Sequence, residues 1–153
     1  MYPAEREKDT LAWWEEYANY LRSIKKDIYL IAEVWVRPQK VAPYTKKFDS
    51  CFNFPLAQSV INSILYQDST YLQDTKKSME SIYKKYNSSF YTDAIFLTNH
   101  DMNRVYSVLI DKTKMKLAAT LLLTLPVNPY IYYGEEIVMK GQKPDEYIIE
   151  PFK

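Results

Sequence analysis

Two carboxylates stand where apolar runs end. Ala94-Ile95-Phe96-Leu97-Thr98-Asn99-His100-Asp101 is a short apolar stretch that stops on three polar groups, one of them the sole histidine of the chain. Unbroken hydrophobicity of this length fits a strand covered on both faces, as in parallel β/α sheets, which carry functional groups at the C-terminal tips of their strands. The plainer reading is a core strand running into an Asn-His-Asp turn. Ile28-Tyr29-Leu30-Ile31-Ala32-Glu33-Val34-Trp35 repeats the design, with one carboxylate among apolar and aromatic neighbours. Burying an unpaired Glu is costly, so Glu33 is either functional or a strand end reaching solvent or a lysine. As strands of one sheet, the two runs bring Glu33 and Asp101 to the same end, beside His100 and Trp35. Two carboxylates flanked by aromatics are what glycoside hydrolysis uses, one of them a general acid of raised pKa.

The totals exclude other chemistries. With one histidine and one cysteine there is no zinc cluster, no Cys-His nucleophile and no internal disulfide. Two glycines are too few for a phosphate-cradling loop, so no cofactor is expected. Net charge is +1 with Lys and Glu dispersed, which leaves no footprint for nucleic acid or an anionic membrane. The 153 residues, 47% hydrophobic, suffice for a real core and read as one soluble domain or part of one. The charged N-terminus shows no secretory signal pattern, and the compartment is left open.

The elements that must position these groups follow from periodicity. Residues 4–26 read as a helix on Leu11, Trp14, Tyr17 or Ala18, Leu21 and Ile24, capped by Asp9 or Thr10. Helical spacing sets only one of Trp13 and Trp14 on the apolar face, which favours packing over sugar stacking. Residues 36–48, with Pro38 and Pro43, read as a loop in which Trp35 and Tyr44 either line a sugar subsite or anchor the chain. A brief strand over 50–54 precedes a helix from Pro55 to about Tyr66, and a second helix spans about Thr70 to Tyr86. Arg104 either reaches a bound ligand or pairs with a carboxylate such as Asp101. Asp111 opens a helix that stops before Pro126 and whose run Leu117–Leu125 reads as deeply buried. That run is far shorter than the about twenty residues a membrane span needs.

Taken together the motifs resemble the α-amylase family, glycoside hydrolase family thirteen. Leu30-Ile31-Ala32-Glu33-Val34-Trp35 is similar to the fifth-strand motif with the acid/base, and Phe96-Leu97-Thr98-Asn99-His100-Asp101 to the seventh-strand motif. Asn128-Pro129-Tyr130-Ile131-Tyr132-Tyr133-Gly134-Glu135-Glu136-Ile137, with Gly141 and Lys143-Pro144-Asp145-Glu146, resembles the eighth strand and the loop after it. The resemblance implies a partial TIM-type (β/α) barrel, α/β in class, with about four parallel strands, five to eight, over residues 1–153 as a single fragment. It implies retaining cleavage of α-1,4-glucosidic bonds in α-glucan, with Glu33 as acid/base and Asp101 stabilising the transition state. His100, Asn99, Arg104 and Trp35 are then substrate-binding residues.

The family's nucleophilic Asp, in a Gly-Phe-Arg-x-Asp type motif of the fourth strand, has no counterpart here, and Met1-Tyr2-Pro3 resembles the end of the segment that follows it. A whole barrel needs about 250 residues, which agrees with a half. The expected partners are the α-glucan substrate, the missing N-terminal half and, through exposed strand edges, a second copy in a homodimer. Val127 and Val138 stand where the family commonly has glycine, and Ile149 where arginine is usual. A positive φ at a β-branched residue costs on the order of one to a few kcal/mol, which puts the loop geometry in question. Three classes stay open: a glycosidase segment, a non-catalytic glucan-binding or interaction domain, and an inactive truncation product. The first is preferred because Glu33 and Asp101 both occupy motif positions.

Overall fold

In a computed structural model of the chain, residues 4–86 and 91–151 are described; the Met1-Tyr2-Pro3 likeness lies outside them. The chain divides into two compact units, one of residues 1–52 and 79–93, the other of residues 53–78 and 94–153.

In the first unit a 3-10 turn, Ala4–Arg6, leads into helix α1, Glu7–Ile24. The caps expected from sequence do not serve. Arg6 occupies the N-cap without a side-chain bond, Asp9 is engaged by the Arg6 Nε at 2.6 Å, and Thr10 is buried. Of the two candidates at the fourth turn position, Ala18 is buried and Tyr17 exposed, because the smaller side chain allows close approach. Trp14 packs on Phe48 with ring centroids 5.5 Å apart, while Trp13 stays 48% exposed, as the helical spacing required.

Strand β1 is only Ile31–Ala32, running parallel to β2, Ser50–Cys51, with Ile31 opposite Ser50. The apolar run around β1 is longer than the strand because pairing needs a neighbour. Asp49 takes the preceding amide of Leu30 on Oδ2 at 2.8 Å and receives Arg22 Nη2 at 3.1 Å. The stretch read as a loop is partly helical: α2, Pro38–Val41, and a 3-10 turn, Ala42–Lys46. Val41, Ala42 and Tyr44 enter the core there, with Phe48 and Cys51, so proline at a helix start and apolar burial outweigh the loop signal. The buried Cys51 thiol is pushed up to about 12 by desolvation, which makes it inert.

The second unit begins with α3, Phe54–Leu65. Asn53 caps it by accepting the Leu56 amide on Oδ1 at 3.0 Å, and Pro55 occupies the first turn, where its missing N–H costs nothing. Helix α4, Thr70–Tyr83, ends three residues earlier than expected, and its last residues, from Met79, count with the first unit. Strand β3, Ala94–Phe96, is buried throughout and parallel to β4, Asn128–Tyr130, with Ala94 opposite Asn128. A short helix the sequence did not announce, α5, Val105–Leu109, precedes α6, Lys112–Thr124, whose cap Asp111 accepts the Lys114 amide at 2.8 Å. Val60, Ile61, Ile95, Val105, Ala118 and Leu122 form the centre of this unit's core.

The run Leu117–Leu125 is not deeply buried. Ala118 and Leu122 face the core while Leu117 and Leu123 are exposed, a one-sided helix rather than an enclosed one. Among the described residues no helix is long and apolar enough to cross a membrane.

Between α5 and α6, Ile110 takes φ +55° at 74% exposure and closes α5 by donating its amide to Tyr106 O. A β-branched residue in that left-handed region is strained and gains little from packing there. Ile110→Asn is therefore expected to raise unfolding stability by about 1 kcal/mol in urea titration. A loss of stability would mean that the Ile110 side chain contributes more than its backbone costs.

Candidate functional site

β3 delivers its residues into a short turn in the second unit. Leu97 and Thr98 stay buried, Asn99 is half-buried, and His100 and Asp101 emerge with side chains 59% and 44% exposed. The turn is organised by Asn99: its Oδ1 accepts the Asp101 amide at 3.0 Å and its carbonyl accepts the Met102 amide at 3.2 Å. His100 Nε2 lies 3.5 Å from Asp101 Oδ2. A hydrogen-bonding imidazole and a carboxylate thus stand side by side on a held turn, a geometry suited to binding hydroxyls.

Two buried anchors fix that turn. Before it, the Thr98 hydroxyl donates to Glu135 Oε1 at 2.8 Å, both residues being buried. After it, Arg104 is 1% exposed and its Nη1 donates to the Tyr133 carbonyl at 2.6 Å. The Arg104 guanidinium also lies 4.8 Å and 4.6 Å from the ring centroids of Tyr132 and Tyr133. Among the described residues Nε and Nη2 have no hydrogen-bond partner, and the two aromatic rings stabilise the charge there. Arg104 is thus buried against Tyr132 and Tyr133, and no ion pair between it and Asp101 is seen among the described residues.

Both glycines of the chain serve this arrangement. Gly134 has φ +84°, and a Cβ there would sit 2.7 Å from Met139 Sδ and 3.0 Å from Arg104 Nη1. A Cβ on Gly141 would meet the Tyr147 carbonyl oxygen at 2.0 Å and Arg104 Cδ at 3.2 Å. Gly141 O in turn accepts the Arg104 amide at 2.9 Å. Val138 does adopt φ +55°, as its glycine-like position foreshadowed, whereas Val127 is not among the positive-φ residues.

Glu33 and Trp35 belong to the first unit. Glu33 is exposed, not enclosed: Ala32 is the last strand residue and is buried, and Glu33 follows beyond the strand's end. It borders a cavity of about 220 Å³ with Trp14, Ile31, Val34, Tyr44 and Phe48. Tyr44 is thus a buried anchor that also lines the space beside the carboxylate, and Trp35 is exposed. Among the described residues no group of three or more His, Cys, Asp or Glu is placed to hold a metal.

Sequence reasoning missed Glu135. It stands beside Glu136, which is exposed, and nothing local separates the two. The available signal was Gly134, which marks a backbone turn at that point.

Two pairs of short parallel strands alternating with helices, with polar groups just past the tips of β1 and β3, put the chain in the α/β class, and comparison narrows it. The alpha-amylase crystal structure from H. orenii superposes with a TM-score of 0.93 at 42% identity, over 99% of this chain and 31% of that one. Among curated relatives, Alpha-amylase 3 of Dictyoglomus thermophilum is 47% identical over 146 residues, 94% of this chain and 29% of its own length. A 4-alpha-glucanotransferase of Thermotoga maritima is 31% identical over 97% of this chain and 33% of its own. The family described as the alpha amylase catalytic domain matches residues 4–151. The chain belongs to the alpha-amylase family, whose catalytic domain is a TIM barrel, and spans about a third of the length of the relatives it matches.

Burial pushes the Glu135 carboxyl from 4.5 up to about 7, against the lowering by the Thr98 hydroxyl, the Tyr132 and Thr98 backbone and the charge of Arg104. An acid whose pKa is higher folded than unfolded binds more protons in the native state. Its contribution to stability is full below about 4.5 and is lost as the pH rises toward about 7. Glu135→Gln keeps an acceptor for Thr98 and cannot ionise. Its thermal stability relative to the parent is therefore expected to improve across that window, and parallel melting curves at both ends would overturn the assignment.

Proposed function

We propose that this chain supplies the acid/base and the transition-state-stabilising carboxylate of a retaining α-glucan hydrolase acting on α-1,4-glucosidic bonds. Its strands correspond to the fifth to eighth of the barrel, and residues 1–153 serve as one fragment of that catalytic domain. The observation that carries the reading is the Asn99-His100-Asp101 turn, which exposes His100 and Asp101 beyond the tip of a buried strand and is anchored on both sides.

In this reading Glu33, on the rim of an aromatic-lined cavity, protonates the departing glycosidic oxygen and later takes a proton from the attacking water. Asp101 hydrogen-bonds the distorted sugar ring, an interaction that strengthens in the transition state, while His100 and Asn99 hold its hydroxyls and Trp35 offers a stacking face. The second carboxylate that a retaining mechanism requires as nucleophile comes from outside this sequence. No cofactor takes part.

Alone, the chain is expected to leave starch and an activated α-glucoside unhydrolysed above background. Supplied with a polypeptide carrying the preceding strands of an alpha-amylase catalytic domain, it is expected to gain activity that Asp101→Asn lowers by several orders of magnitude with folding intact. A loss below about tenfold, roughly 1.4 kcal/mol, would remove Asp101 from the mechanism. Turnover by the chain alone that Glu33→Gln abolishes would place the nucleophile within this sequence.

Among the described residues every strand pairs with one neighbour only, and Ile131 and Ile137, near β4, are exposed. Without a partner half, such edges and apolar side chains are best covered by a second copy. Light scattering after size exclusion is expected to give a homodimer, and a monodisperse monomer across about a hundredfold dilution would exclude it.

A further inference from the structure

We infer that Glu135 is a positioning residue for the Asn99-His100-Asp101 turn, acting through its hydrogen bond to Thr98. The catalytic meaning of that role rests on the function proposed above; the positioning itself does not.

Glu135 lies 37 residues beyond Thr98 in sequence yet meets it at 2.8 Å, with exposures of 6% and 1%. A carboxyl group so enclosed is costly, and nothing about packing demands one; a methylene-rich side chain would fill the same space at lower cost. What the carboxyl adds is direction. Thr98 is the last buried residue before the turn, so fixing its hydroxyl fixes the point from which Asn99, His100 and Asp101 depart. Glu135 is itself held, its amide donating to the Tyr132 carbonyl at 3.1 Å and its carbonyl accepting the Val138 amide at 3.1 Å. Arg104 binds the neighbouring Tyr133 carbonyl, so the turn is clamped before and after by one segment, residues 132–141. Loss of the Thr98 bond frees one side of that clamp and leaves a buried hydroxyl unsatisfied.

The readout is available without turnover. His100 is the only histidine, so its imidazole carbon–proton NMR signals report this turn directly, and amide hydrogen exchange at Asn99–Asp101 reports its opening. Thr98→Val and Glu135→Ala are expected to shift or double the His100 signals and to speed exchange at these amides about tenfold. Thr98→Ser and Glu135→Gln, which keep a hydroxyl donor and an oxygen acceptor, are expected to restore the parent spectrum at a pH well below 7. Should Glu135→Ala not fold, the Thr98→Val and Thr98→Ser pair decides. The inference is overturned if the disruptive variants lower the melting temperature yet leave the His100 signals and the exchange rates unchanged, which would make the pair core only. It is equally overturned if Glu135→Gln moves the signals as far as Glu135→Ala. Failure of the hydrolytic reading would leave a positive result standing, because no step of this test depends on activity.

Discussion

A buried guanidinium governs the second unit. Moving an arginine charge out of water costs several kcal/mol unless it is compensated, and among the described residues the Arg104 guanidinium has one carbonyl acceptor where its five donors would take more. Two tyrosine rings make up the difference, and they do so only if the segment after β4 comes close enough to lay both against the group. That closeness explains the glycines. At Gly134 and Gly141 any side chain would intrude on Arg104 or on the backbone beside it. A chain with only two glycines places both around one arginine, which shows how strongly the charge constrains its surroundings.

The same constraint shapes the exposed chemistry. His100 and Asp101 reach solvent on a turn whose flanks, Thr98 and Arg104, are both buried and both tied to residues 132–141. Freedom at the tip with rigidity at its roots is what a binding turn requires, since a displaced carboxylate loses the interactions that depend on distance. Asn99 completes the arrangement from within, closing the turn through its own side chain.

Features governed by neighbouring residues were legible in the sequence. Pro55 in the first turn of α3, the Asp111 cap and the apolar run of β3 each follow from interactions within a few positions, and the structure has all three, whereas Asn53, read as the strand's continuation, caps α3 instead. Features governed by distant partners were not. The Glu33 run is eight residues long as a pattern and two as a strand, because strand length depends on what lies alongside. The leucines of α6 read as buried on composition, but a helix buries a face, and which face depends on α3 and α5. Of the candidate site, the turn and its polar groups were readable, while Glu135 was hidden by the 37 residues that separate it from Thr98.

Val138 shows how far such a segment tolerates local cost. Its backbone stands at φ +55°, where a β-branched residue is strained by on the order of 1–3 kcal/mol. Strain of that size persists only where the surroundings over-determine the conformation. Here the Val138 amide donates to Glu135 O, the Met139 amide to Gly134 O, and the Gly141 amide to Ser107 Oγ at 2.9 Å, while Val138 packs against the core. Those bonds, added to the Arg104 and Glu135 anchors, impose the glycine-like geometry whatever side chain stands at Val138. The departure from glycine therefore weakens the segment's stability without altering its course, and the turn that carries His100 and Asp101 keeps its supports.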